Sequence, residues 1–226
     1  MIPLRDNIPC RRFPITNWIL IALNVYIFSI EVRFASPELL EKFIYHWAVI
    51  PSRLWSDFIA YASTLVTAAF LHGGWLHIIS NMIFLYIFGD NVEDRMGHFR
   101  YLFFYLLTGV IANGAQAYLS PQSQIPLLGA SGAIAGVLGA YFFYYPHARV
   151  LTLIPFWIFS RIVEIPAFLF LGFWFFLQTM SGTMALSTKV AAHQPAGGIA
   201  FWAHVSGFIA GLLLSPAFGS KSSRFK

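Results

Sequence analysis

The sequence predicts an all-α, polytopic membrane protein: a bundle of six transmembrane helices with an interfacial first loop. Three observations predict it. Only 10% of the 226 residues are charged and 58% are hydrophobic. Soluble domains carry about 25% charged residues, so too few charges remain here to cover a water-facing surface. Mean hydropathy is +0.68. The charges punctuate apolar runs of roughly 20 residues, the length that crosses a hydrocarbon core about 30 Å thick. Inside lipid such runs must be helical, because the backbone has to satisfy its own hydrogen bonds.

The first run, 15–32, follows Arg11 and Arg12. It is longer than the apolar core of a secretory signal and no small-residue cleavage site follows it, so it reads as a retained span. Segment 36–71 mixes Glu38, Glu41, Lys42, Arg53 and Asp57 with Trp47, Trp55 and aliphatic residues. That is the composition of a partly helical loop lying on the membrane. Five further spans are predicted at 74–91, 101–119, 127–145, 162–180 and 196–216. Within the fifth, the Phe-rich run 168–177 reads as a lipid-facing surface.

Six spans put both termini on one side. That side holds Arg5, Arg11, Arg12, Arg95, Arg100, Arg149, Arg161, Lys221, Arg224 and Lys226; the other holds Arg33, Lys42, Arg53 and Lys189. The excess of Lys and Arg makes the first side cytoplasmic. The net charge of +5 thus lies between spans and forms no basic face interleaved with aromatics. The expected partner is the bilayer, not nucleic acid. Cys10 is the only cysteine, so no disulfide framework exists. With no long-period repeat and no second composition class, residues 1–226 read as a single transmembrane domain.

Polar side chains inside spans are costly, and each needs a reason. Four stand out: His77 and Asn81 in the second span, Ser131 in the fourth and His204 in the sixth. Helix rise puts Ser131 about 21 Å, His77 about 20 Å and His204 about 17 Å from the inner ends of their spans. All three therefore lie at one level, about 10 Å below the outer surface. Gly129, Gly132, Gly136 and Gly139 in the fourth span and Gly207 and Gly211 in the sixth would let these helices approach closely in lipid.

These residues carry a resemblance. Gly129-Ala130-Ser131-Gly132 resembles the GxSG motif of rhomboid intramembrane serine proteases, and Ala203-His204-Val205-Ser206-Gly207 with Gly211 resembles their AHxxGxxxG motif. His77-Ile78-Ile79-Ser80-Asn81, with His72 upstream, is similar to their HxxxN motif, and Glu93-Asp94-Arg95 to their ExR motif. The resemblance covers nearly the whole chain, in order and on the matching spans. It implies a six-helix bundle of the rhomboid type. It also implies Ser131 as nucleophile, His204 as general base and then acid, and His77, Asn81 and the Ser131 N–H as oxyanion donors. These roles fit the chemistry, since a serine needs a base to become nucleophilic and positions i and i+4 share a helix face.

No carboxylate completes a triad. Asp90, Glu93 and Asp94 fall at the cytoplasmic end of the second span, and Glu164 at that of the fifth, where Arg161 could pair with it. The implied chemistry is a Ser–His dyad without cofactor or metal; no HExxH pattern is present. Two departures from the family pattern stand out. Ala135 occupies the place, four residues after the serine, where many members stack an aromatic ring on the histidine. The first loop also lacks a recognisable Trp-Arg pair, with Ser63 and Thr64 near that position. His72 is five residues before His77, about 140° away on an ideal helix, so a structural role is expected for it. His46, His98, His147 and His193 are expected at the surface.

The implied activity is hydrolysis of peptide bonds in the transmembrane helices of other proteins, near the outer leaflet, at residues that unwind readily. The expected location is a prokaryotic inner (plasma) membrane with cytoplasmic termini. The alternative is a rhomboid-like protein without activity that binds transmembrane clients. A transporter ranks third, disfavoured by the lack of membrane-embedded acids. Nothing in the sequence specifies an oligomeric state.

Overall fold

The computed structural model describes residues 1–156, 159–192 and 200–219. In chain order its elements are β1 (Ile2–Asp6), α1 (Ile15–Glu31), the short helices α2 (Pro37–Trp47), α3 (Pro51–Ser56), α4 (Phe58–Tyr61) and α5 (Thr64–Thr67), then α6 (Trp75–Met96), α7 (His98–Leu119), α8 (Ser131–Tyr144), β2 (Arg149–Phe156), β3 (Phe159–Pro166), α9 (Ala167–Ala192) and α10 (Phe201–Phe218). Among the described residues, α7, α10 and the Ala167–Met184 part of α9 are long and apolar enough to cross a membrane. The bent pair Phe58–Phe70 and α6 makes a fourth if taken as one span, while α1 and α8 are apolar but shorter.

The all-α expectation misses a three-stranded antiparallel sheet of order β1-β2-β3. Residues 162–166, expected to begin the fifth span, belong to β3. The reason is local. Val150, Ile154, Ile162, Val163 and Ile165 are β-branched and favour strands, and Pro166 disfavours helix at the residue before it, so α9 starts only at Ala167. Arg161 and Glu164 pair with Ile154 and Leu151 across the ladder. Three apart on a strand, they point to opposite faces, so the expected helical ion pair does not form. At the other end α9 runs on to Ala192, through most of what was expected to be a loop. Residues 196–199 of the predicted sixth span and His193 lie outside the described residues.

α8 is the centre of the bundle. Gly132 through Tyr141 are all buried, as expected of a helix that is apolar all round. α10 lies directly on it: a Cβ on Gly207 would sit 2.2 Å from the Gly132 carbonyl oxygen, and one on Gly211 would sit 1.9 Å from that of Gly136. No residue but glycine fits a contact of that kind between backbones. At the far end of α8, the rings of Phe88, Tyr101, Phe104, Tyr105, Tyr141 and Phe170 are fully buried.

Glu93 explains how α1 is docked. α1 has no side-chain cap of its own. Instead the Glu93 carboxylate accepts the Thr16 N–H at 2.9 Å and the Asn17 N–H at 2.7 Å, and a negative group at a helix start is favoured by the helix dipole. His98 Nδ1 bonds the same carboxylate, so this histidine, expected as a plain surface residue, holds the cap in place. The Asp6 carboxylate at the end of β1 takes the Tyr141 hydroxyl and, at 3.0 Å, the Asn91 amide, tying the sheet to α8 and α6.

The first loop holds four short α-helices and a 3-10 turn at Ala68–Phe70. α2 begins with Ser36 accepting the Leu39 N–H at 3.4 Å and with a proline in its first turn, and it buries none of its residues. Further on, Arg53 donates to the Tyr45 carbonyl at 2.9 Å and stacks over the Tyr61 ring at 4.4 Å, while Trp55 donates to the Ala117 carbonyl of α7 at 3.0 Å.

Candidate active site

Ser131 is the first residue of α8. The chain reaches it in extended form: Leu127 and Val49 exchange both backbone hydrogen bonds, at 2.8 and 3.1 Å, and the Gly129 N–H donates to the Ala68 carbonyl at 2.8 Å. Gly129 has φ +120°, a region that favours glycine. A Cβ there would also lie 2.6 Å from His77 Nε2 and 3.7 Å from Ser131 Oγ. Glycine is thus required twice, and its bareness lets the His77 ring reach the serine.

His204 lies on α10 one turn before Gly207. The close contact of α10 with α8 brings its Nε2 to 2.7 Å from Ser131 Oγ. The start of α10 is held by Gln116 of α7, whose Oε1 accepts the Ala203 N–H at 3.2 Å. The other ring nitrogen, Nδ1, is 2.8 Å from Gln178 Oε1 on α9. Trp174, one turn earlier on α9, sets its ring 6.0 Å from the imidazole and tilted by 35°. Ala135 is fully buried in the helix interface, so the aromatic neighbour of His204 comes from α9 and not from α8.

His77 and Asn81 lie on α6. The Gly73 N–H faces His77 Nδ1 at 3.4 Å, which leaves Nε2 to carry the proton, on the side of Gly129 and Ser131. The Asn81 amide nitrogen lies 3.0 Å from His72 Nε2, and the His72 N–H donates to both oxygens of Glu31 at 3.2 Å. His72 precedes α6, so the helical offset assumed from the sequence does not apply, and its ring centroid is 5.1 Å from that of His77. Ser131, His204, His77 and Asn81 line one cavity of about 920 Å³ together with Gln178 and Trp174, and among the described residues no carboxylate lines it.

A serine hydroxyl on an imidazole nitrogen, beside backbone and side-chain donors, is an arrangement suited to acyl transfer. Residues 60–221 match the family model described as a rhomboid domain. The chain belongs to the rhomboid family. Similar rhomboids include Rhomboid-like protein 11, chloroplastic, of Arabidopsis thaliana, 34% identical over 152 residues, which are 66% of this chain and 50% of that protein. Rhomboid protein 1, mitochondrial, of Saccharomyces cerevisiae is 24% identical over 139 residues, 60% of this chain and 38% of that one. Rhomboid protease GluP of Bacillus subtilis is 41% identical over 76 residues, 34% of this chain and 14% of that one. The chain thus matches at most half the length of these relatives. Two of these names place rhomboids in a chloroplast and a mitochondrion, so the expected prokaryotic inner membrane finds no support here; a membrane-spanning family is what is shown.

Gln178 and Gln116 have no part in the sequence reading, and Trp174 enters it only as one residue of the run 168–177. The run 168–177, expected to face lipid, does so only in part. Phe168, Leu169, Phe173, Phe176 and Leu177 are indeed exposed, but Phe170 and Leu171 are buried. The available signal was Gln178 itself, an amide in an apolar run, where every polar side chain asks for a partner.

Proposed function

We propose that this rhomboid is an intramembrane serine endopeptidase that cuts peptide bonds in or near the transmembrane helices of other proteins. The observation that carries the reading is the 2.7 Å contact between Ser131 Oγ and His204 Nε2 in a cavity that also holds His77 and Asn81. Ser131 Oγ attacks the scissile carbonyl carbon as its proton passes to His204 Nε2. The resulting oxyanion is met by the Ser131 N–H, His77 Nε2–H and the Asn81 amide. His204 then gives the proton to the leaving amine. A water, deprotonated by His204, attacks the acyl-enzyme and releases Ser131.

The six-span topology belongs to this proposal. α8 is only about 21 Å long, so the extended residues before Ser131 complete its crossing. A helix that begins inside the bilayer exposes free N–H groups there only because they line a polar cavity.

The test is cleavage of a model transmembrane substrate by the purified protein, together with labelling by a small fluorophosphonate. Cleavage and label should both vanish in Ser131→Ala and nearly vanish in His204→Ala. Equal labelling of folded wild type and His204→Ala would rule out the dyad and favour a client-binding rhomboid without activity.

A further inference from the structure

His204 has two ring nitrogens, and only a nitrogen without a proton can accept one from Ser131. Which nitrogen is bare depends on what the other one bonds. Serine proteases of the triad type settle this with a carboxylate, and among the described residues none lines this cavity. From the 2.8 Å contact between His204 Nδ1 and Gln178 Oε1, we infer that Gln178 is the positioning residue of the base. Its side-chain carbonyl accepts Nδ1–H, keeps the proton on that nitrogen and leaves the Nε2 lone pair facing Ser131. This inference rests on the proposed protease reading and adds to it a third participant, supplied by α9.

The surroundings of Gln178 show that the contact is built. Trp174, Gln178 and Gly182 are spaced four apart and so lie on one face of α9. Trp174 packs on His204 and Phe208, at 6.0 and 6.2 Å between ring centroids. At the other end, a Cβ on Gly182 would lie 3.1 Å from the Trp202 ring, so α9 comes close to α10 there. Gln178 sits between these two contacts, with its amide aimed at the imidazole. A neutral amide also suits a site inside lipid. It orients the ring as a carboxylate would, without placing an uncompensated charge in a low-dielectric medium.

The groups facing His204 are few. Ser131 comes from α8 and Gln178 and Trp174 from α9. His77 on α6 is the titratable neighbour, and Gln116 on α7 touches the helix backbone next to it. A carboxylate introduced at position 178 would therefore act on His204 without a competing acid. It would stabilise the imidazolium, raise the pH at which His204 loses its proton, and move the acid limb of the activity profile upward.

The experiment uses the full-length protein in detergent with a model transmembrane substrate. Gln178→Met keeps the length and packing of the side chain but removes the oxygen. It should lower kcat by about tenfold or more, the direction a wrong tautomer produces, with KM within about twofold. Gln178→Glu should retain more activity than Gln178→Met and shift the acid limb of kcat/KM to higher pH. Nitrogen chemical shifts of His204 should report proton loss from Nδ1 in the Met variant. Wild-type kcat in folded Gln178→Met, with an unmoved pH limb in Gln178→Glu, would overturn the role. Failure of the protease reading looks different: cleavage that survives Ser131→Ala, whatever stands at 178.

Discussion

His77 donates from Nε2 because its Nδ1 already faces a backbone N–H, and Asn81 is set by His72, which is itself held by Glu31. Both proposed oxyanion donors are therefore oriented by contacts within the protein itself. Removing one such donor typically costs about 10²–10³ in rate. His77→Ala and Asn81→Ala should each reduce kcat by that order in steady-state cleavage assays, with unchanged elution in size-exclusion chromatography. Wild-type turnover in both would remove the oxyanion assignment. Away from the site, Cys10 offers a pH test. Burial and the nearby Asp90 carboxylate push its thiol above the usual range, and only the thiolate reacts. Maleimide alkylation of Cys10 should be slower than that of a free cysteine at pH 8 and keep rising at more alkaline pH; Asp90→Asn should speed it. At this scale Ser131 and His204 were legible in the sequence because their motifs carry their own spacing. Gln178 was not. A single amide in a Phe-rich run names no partner until the rotation of α9 about its axis is known.

At the scale of elements, the contact of α8 with α10 determines the most. Gly211→Ala would drive a methyl to 1.9 Å from the Gly136 carbonyl, and overpacking of this kind costs about 1–3 kcal/mol or more. Gly114→Ala is the matched control, since nothing lies within 4 Å of a Cβ there and alanine stabilises a helix interior by about 0.5–1 kcal/mol over glycine. Thermal unfolding in detergent should show a lower Tm for Gly211→Ala and an unchanged or higher one for Gly114→Ala. An equal Tm in the two would mean the helices are not in backbone contact. The long helices were readable from apolar length alone, because lipid leaves the backbone no other choice. The sheet was not readable. Residues 149–166 are as apolar as the spans on either side of them, and what separates them is β-branching and Pro166, a weaker signal than hydropathy.

At the scale of the whole molecule, the six-span proposal puts the exposed Cys10 and the loop between α7 and α8 on opposite sides of the membrane. Gln122, exposed in that loop, can carry a probe. In intact cells a membrane-impermeant maleimide should label Gln122→Cys in a Cys10→Ser background, and should reach Cys10 only after permeabilisation. Labelling of both from one side would refute the topology. The bundle also has an uneven mechanical character. Where α8 meets α10, backbone rests on backbone and no side-chain torsion lies between them to yield. The spacing between the backbones that carry Ser131 and His204 is therefore a stiff coordinate, changed only by moving two helices bodily. α9 is attached differently. Only 22% of its membrane-length stretch is buried, against 44% for α7, and it meets His204 through the torsions of one glutamine and one tryptophan. Thermal motion will concentrate on that softer side. The backbone spacing between Ser131 and His204 is held by α8 and α10, while the orientation of the His204 ring depends on where α9 sits.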